Sequence, residues 1–213
     1  MKPSLVAKLV KVSEKLLGRV PNAEQVVRDR LAYKFSITEE KAFMTGSGAS
    51  KPLGVFTASA DGVTTARDYS TDNTTTTITF DNLKGAKYTL KGAYHPNAQW
   101  VFHRDAVAMI SKLKDGDGQY IWRPDVVAGE PDRLLGFPVN MSEYAPNTFT
   151  TQLYVGILGD FKAGYWIAEY AEGYRTKRLV ELYAATGQIG ILGEQYVDGA
   201  PVLAEAFVRV KLG

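Results

Sequence analysis

The residues able to do chemistry in this chain are few and scattered. His95 and His103 are the only histidines and there is no cysteine, which removes disulfides, thiolate catalysis and cysteine-ligated zinc together. One histidine precedes Pro96 in a loop-like stretch and the other ends a short apolar run. As catalytic bases they would need a nucleophile and an orienting carboxylate in contact, so structural or surface roles are expected. Gly46-Ser47-Gly48-Ala49-Ser50-Lys51 has the residue types of a phosphate loop but not its order. A Walker loop closes on Gly-Lys-Ser or Gly-Lys-Thr ahead of a helix, whereas these glycines follow a helical pattern and Lys51 precedes Pro52. They are expected to end a helix. Asp115-Gly116-Asp117-Gly118 begins like a calcium loop, but Gln119 stands at the next alternate position and no glutamate closes the loop. It reads as a turn, with any cation held incidentally together with Glu130 or Asp132. Glu39 and Glu40 are neighbours that leave a helix in different directions, and solvated surface is their expected place. No enzymatic activity, cofactor or metal is expected.

Composition bounds the class of protein. At 213 residues and 45% hydrophobic content the chain can bury a core of ordinary size. Its charges nearly cancel at a formal +2, so the strong positive field of a dedicated nucleic-acid binder is missing and contact with nucleic acid should be diffuse. No stretch approaches the roughly 20 apolar residues of a membrane span, and Met1-Lys2-Pro3-Ser4-Leu5 lacks the apolar core of a secretion signal.

The elements that must position any site follow from patterning. Leu5 to Val12 alternates loosely enough for a strand, and Ser13 is placed to cap a short turn over Glu14 to Leu17. Asn22, with Gln25 three residues on, has the pattern of a capping box for a helix running to Thr45 with Gly46 as its C-cap. That helix buries Val27, Leu31, Phe35 and Ala42 and is about 33 Å long. Thr57 to Thr77 is rich in Thr, Ser, Asp and Gly and reads as an exposed loop or hairpin. Asp81 is expected to cap a helix over Asn82 to Lys91 with Leu83, Ala86 and Leu90 inward. Trp100 to His103 reads as a strand, and Arg104 to Leu113 as a helix with Val107, Ile110 and Leu113 on one face. Gly116 and Gly118 should stop it before an aromatic strand at Tyr120-Ile121-Trp122. Further strands are expected at Leu153 to Leu158, Gly164 to Glu169, Thr176 to Tyr183, Gln188 to Val197 and Ala204 to Leu212. The last two should join across a hairpin turn at Asp198-Gly199.

Three of these stretches carry a family likeness. Lys112-Leu113-Lys114-Asp115-Gly116, followed by Tyr120-Ile121-Trp122 and by Leu134-Leu135-Gly136-Phe137-Pro138, resembles a run found in the major capsid proteins of tailed bacteriophages. Thr45 to Val55, with its Pro52-Leu53-Gly54, is similar to the turn after that family's spine helix. Tyr183 to Gly190, Gly193 to Gly199 and Ala206 to Val210 are similar to its closing strands. The likeness runs from about Leu5 to Leu212 and rests on the order and spacing of all three. It implies the α+β phage major capsid fold, also called the Hong Kong ninety-seven or Johnson fold, with a long spine helix, a peripheral domain and an axial domain. Residues 1–79 and 171–213 would form the peripheral domain and residues 80–170 the axial one.

The resemblance further implies a subunit that associates with copies of itself into pentamers and hexamers of an icosahedral head around double-stranded DNA. Such a subunit would be assembled in the bacterial host cytoplasm, with a scaffolding segment, maturation protease and portal as further partners. Family members carry an amino-terminal arm and extended loop before the matched region, so this chain reads as a core lacking both. Some members crosslink a lysine of that loop to an asparagine of the peripheral domain; Gly187 falls near the asparagine's place, and no crosslink is expected. By approximate alignment the basic run Arg175-Thr176-Lys177-Arg178 falls near the peripheral loop that meets neighbouring capsomers. The same run is equally consistent with a strand edge guarded by charge. Arg175, Lys177, Arg178, Glu181, Asp115 and Asp117 are the candidate subunit contacts. An encapsulin-type compartment, which shares the fold, is the nearer alternative. A small α+β enzyme or ligand-binding domain is the farther one.

Overall fold

The computed structural model describes residues 1–122 and 132–213. Its strands form two sheets that divide the labour of the fold. The antiparallel sheet is built on the fourteen-residue β9 (Gln188–Pro201), which pairs along one edge, from Gln188 to Val197, with β1 (Ser4–Ser13). The other edge is shared by β7 (Tyr165–Glu169), against Val197 to Pro201, and β8 (Arg175–Leu179), against Gly190 to Glu194. The mixed sheet has the order β2 (Asp68–Tyr69), β10 (Phe207–Lys211), β6 (Tyr154–Gly159), β3 (Gln99–Phe102), β5 (Phe137–Met141), β4 (Arg133–Leu134).

One face of the antiparallel sheet is covered by the long helix α2 (Ala23–Thr45), which follows the short α1 (Glu14–Arg19). Leu31 and Phe35 of α2 pack with Val12 and Ile191, so the strand alternation sends Val10, Val12, Ile189 and Ile191 toward the helix. Neither expected N-cap forms. Ser13 and Asn22 make no capping bond through their side chains, and Gln25, the other half of the capping box, donates instead to Asp29 at 2.8 Å. The C-cap is at Gly46, as expected, but without a left-handed backbone: its φ is −65°. Glycine is needed there for space, since a Cβ would lie 2.2 Å from the Pro52 carbonyl oxygen.

The mixed sheet is covered on both faces, which is why its strands read as continuous apolar runs. Trp100, Phe102, Leu158, Val208 and Val210 face α3 (Phe80–Thr89) and α4 (Arg104–Ser111). Val101, Ile157 and Phe207 face Val55, Phe56 and Val63 on the other side. Leu83, Ala86 and Leu90 are buried, but the cap of α3 is Thr79, whose hydroxyl accepts from the Asn82 amide at 3.1 Å. Asp81 is instead engaged by Lys84 at 3.2 Å. Helix α4 ends at Ser111, ahead of the glycines, and Tyr120 to Trp122 forms no strand; one isolated bridge joins Lys114 to Tyr120.

The stretch from Thr57 to Thr77 departs most from expectation. It contains β2, and Arg67 donates to the carbonyls of Phe207 at 2.9 Å and Glu205 at 3.2 Å. Asp68 forms an ion pair with Arg209, which has no exposed surface, and Tyr154 closes the group by donating to Asp68 at 3.0 Å and stacking on the guanidinium. Burial pushes the Tyr154 hydroxyl up to about 12. A polar segment is ordered here by one desolvated charge pair, which composition does not reveal.

The Asp198-Gly199 hairpin is also absent. Strand β9 runs through both residues because β7 pairs with them, and β10 leaves for the mixed sheet, where its apolar side chains are buried on both faces. A Cβ on Gly199 would lie 2.7 Å from the Tyr165 hydroxyl, so close packing rather than a turn requires glycine there. The expected strand over Thr176 to Tyr183 ends at Leu179 and gives way to a 3-10 turn over Glu181–Thr186. Hydrogen bonding therefore crosses the boundaries drawn from sequence at 79/80 and 170/171: β2 and β10 belong to the mixed sheet, and β7 to the antiparallel one.

Candidate assembly surface

Strand β8 carries most of the candidate contacts, and its alternation splits them. Arg175 and Lys177 stand opposite Glu194 and Leu192, on the sheet face away from α2. Both reach Glu194, Lys177 at 2.7 Å and Arg175 at 3.6 Å, and Arg175 also meets Glu172. Arg178 stands opposite Ile191 on the helix-covered face and lies 3.9 Å from Glu24 at the start of α2. Glu24 is held at 2.6 Å by Arg28. The run is thus two surfaces with internal partners, not one patch, and the outer edge of β8 has no strand beside it among the described residues. Glu181 is exposed in the adjoining turn, beside Val180 and Leu182, which are 48% and 67% exposed.

The face of the antiparallel sheet away from α2 is covered only at one end, by Tyr183 beside Gly190 and Leu9, and holds apolar side chains that sequence reading did not single out. Leu5 opposite Tyr196, Leu9 opposite Leu192, and Trp166 opposite Ala200 all share it. Leu5, Trp166 and Tyr170 are each more than half exposed, and Tyr170 packs on Tyr196 with ring centres 4.7 Å apart. A sheet face left largely uncovered is the signal that would have found them, and it needs the strand pairing. Asp115 and Asp117 lie far along the chain in the turn after α4, where the Asp115 carboxylate accepts from the amides of Asp117 at 3.0 Å and Gln119 at 2.9 Å. That geometry makes the stretch a turn. Glu130 lies outside the described residues, and among those described no three ligating side chains cluster for a metal.

The other chemical candidates are structural. His103 is buried and caps α4, its Nδ1 accepting from the Asp105 amide at 3.2 Å. His95 bonds the Leu90 carbonyl at 3.0 Å and packs edge-on against Phe137. The Gly46 loop folds back on itself, Gly54 donating to the Gly46 carbonyl at 2.9 Å, and does not open before a helix. Glu39 and Glu40 are not simply solvated. Glu40 accepts from Ser142 at 2.7 Å, and burial together with the nearby Glu169 carboxylate raises the Glu39 pKa. Glu39 borders a groove of about 240 Å³ between the end of α2 and β1, lined by Val6, Ala42, Pro52 and Val197. The groove holds no nucleophile and base in contact.

A helix-backed sheet whose other face leaves large apolar side chains in solvent is suited to association. The model of the phage capsid family matches residues 1–212. The chain belongs to the phage capsid family. The capsid of an empty GTA particle, solved with fivefold symmetry, is 27% identical with a TM-score of 0.85, over 99% of this chain and 74% of that one. The capsid of the native GTA particle is 28% identical with a TM-score of 0.85, over 99% of this chain and 73% of its own. An encapsulin complex from Synechococcus elongatus is more distant, at 15% identity and a TM-score of 0.66 over 98% of this chain and 73% of that one. It shares the fold. Nothing among curated proteins matches. The family fixes the architecture as the Johnson fold, with α2 as its spine helix, and makes the capsid reading stronger than the encapsulin one.

Proposed function

We propose that this capsid protein tiles a closed icosahedral head as pentamers and hexamers of one subunit shape, enclosing double-stranded DNA. The match of the family model to nearly the whole chain carries the reading. Head-to-tail contacts close into rings when the rotation per subunit divides a full turn, and modest contacts repeated over a shell add up while misplaced subunits can still leave. The protein acts by association and not by catalysis. We divide it along its sheets: the antiparallel sheet with α2 as the peripheral domain, and the mixed sheet with α3 and α4 as the axial domain. Assembly contacts are assigned to β8, to Glu181 and to the turn at Asp115 and Asp117.

Arg178→Glu tests the assignment. Reversal at an exposed position moves stability by less than about 1 kcal/mol, while a charge at a contact sets encounter and register. Particle yield by electron microscopy should fall sharply with the melting temperature of the subunit almost unchanged. Normal particles at low and high salt would remove β8 from the interface.

A further inference from the structure

The spine helix is attached to both sheets. Leu31 and Phe35 pack it on the antiparallel sheet, while its last two turns reach the mixed one. At the C-terminal end the attachment is made by backbone. The Phe43 and Met44 carbonyls accept from the amides of Val55 and Phe56 at 3.0 Å, and these two residues pack with Val101, Ile157 and Phe207 of the mixed sheet. Leu53, just before them, donates its amide to the Gly199 carbonyl of β9 at 2.7 Å, and the Tyr165 hydroxyl of β7 donates to the Leu53 carbonyl at 3.0 Å. Residues 53–56 are therefore a pivot where α2 and the two sheets meet. Glu40 supplies a second attachment one turn before Met44, about 6 Å along the axis, where its carboxylate accepts from the Ser142 hydroxyl at 2.7 Å. The Ser142 side is firmly held. Ser142 follows β5, is 6% exposed, donates its amide to the Phe102 carbonyl at the end of β3 at 2.9 Å, and accepts at its hydroxyl from the Tyr144 amide at 3.2 Å. Glu143 beside it lies 3.5 Å from His103 Nε2 and 3.6 Å from Arg104 Nε, which ties this corner to the start of α4.

We propose that Glu40 and Ser142 are a positioning pair that fixes the angle between the spine helix and the mixed sheet, and with it the curvature of the shell. A pivot alone leaves that angle free; a second, directional bond away from the pivot removes the freedom. A hydrogen bond accepted by a carboxylate is shorter and stronger than a neutral one, so it suits that task. The proposed contacts lie on both sides of the joint, β8 and the Glu181 turn on the antiparallel sheet and the Asp115 turn after α4. A change of angle would therefore change the rotation from one copy to the next, and rings close only when that rotation divides a full turn. The link to curvature rests on the closed-shell reading; the effect of the pair on the angle does not.

The test has a subunit arm and a particle arm, each applied to E40A, S142A, E40A/S142A and E40Q, with circular dichroism melts to check folding. The chain has no cysteine, so spin labels at K8C/K112C, exposed positions on β1 and at the end of α4, report the distance between the two sheets. The distance distribution should broaden in E40A and S142A, and the double variant should be no worse than S142A, because the same bond is lost in each. E40Q, whose amide oxygen still accepts from Ser142, should keep the original distribution. In the particle arm, loss of a hydrogen bond to a charged group shifts an equilibrium between two arrangements by about tenfold. Particles outside the wild-type diameter class, counted by electron microscopy, should become more frequent by about that factor in E40A and S142A and not in E40Q. An unchanged distribution in the folded single variants overturns the proposal, as do additive effects of the two changes. Loss of folding in both single variants also overturns it, since the bond would then serve stability. A broadened distribution with wild-type diameters, or with no particles at all, separates the angle from curvature and overturns the proposal as stated. If the unsubstituted protein forms no closed particles, the closed-shell reading fails, and the distance distributions still decide whether the pair sets the angle.

Discussion

The mixed and antiparallel sheets are made from similar residues and put to different uses. In the mixed sheet Trp100 has no exposed surface, stacks on Phe102 and donates through its indole nitrogen to the Leu134 carbonyl at 3.0 Å. In the antiparallel sheet Trp166 is 59% exposed, on a face that is covered only at the other end of β9, where Tyr183 packs beside Gly190 and Leu9. The first sheet is sealed by helices on one side and by the 53–63 segment on the other, so its side chains stabilise the subunit. The second is sealed by α2 on one side and covered on the other only where Tyr183 packs. Large apolar groups left facing solvent on a regular surface contribute little to folding and are available for contact with another molecule. The proposed assembly contacts and the larger apolar core thus fall on separate sheets of one chain.

The comparison breaks most readily at Asp68. Arg209 is completely buried in the mixed sheet, and Asp68 is its only acidic partner among the described residues. Asp68→Ala leaves that guanidinium uncompensated, which costs about 3–5 kcal/mol. Chemical denaturation should show a loss of that size, and a loss under about 1 kcal/mol would mean that the segment before α3 is the loosely held loop its composition suggests.

Glu39 offers a smaller effect with a sign. Its pKa is raised above the ordinary 4.5 by burial and by Glu169 across the α2 and β7 contact. A raised folded pKa means that the protonated form is favoured in the fold. Its stabilising contribution is complete below 4.5 and is lost as pH rises through the folded value. Glu39→Gln should thus raise the melting temperature at neutral pH and lose that advantage as the pH approaches 4.5. An equal gain at both pH values would show that packing, not charge, is responsible.

How much of this was legible depends on whether a feature is local. β1 and α2 follow from residue periodicity, and the inward positions Leu83, Ala86 and Leu90 were readable from their spacing. The Arg209 pair was not, because its partner is 141 positions away in the chain. Asp198-Gly199 shows the limit of a dipeptide signal: the pair has the chemistry of a turn, yet pairing with strand β7, whose Tyr165 packs closely on Gly199, keeps the chain extended. In the basic run the residue types were visible, but the split into a helix-facing Arg178 and outward Arg175 and Lys177 depends on register against β9. A one-residue slip would exchange them.

The smallest expected effect on folding sharpens the comparison furthest. Trp100→Ala removes a buried indole and should cost about 3–5 kcal/mol. Trp166→Ala removes the same side chain from the open face, where more than half of it already meets water, and should change stability by no more than about 0.5 kcal/mol. Its consequence should appear in association. Aromatic side chains at the centre of a contact commonly cost more than about 2 kcal/mol when truncated, and a subunit that repeats a contact many times multiplies the loss over the shell. Particle yield should therefore drop for Trp166→Ala while the melting curve of the subunit stays in place. If the melting curve shifts with it, the open face is held by something within the subunit and the division between the two sheets fails. If neither changes, the division of stability stands, and the contacts lie at the sheet's edges, at β8 and the Glu181 turn, with its apolar face left to solvent.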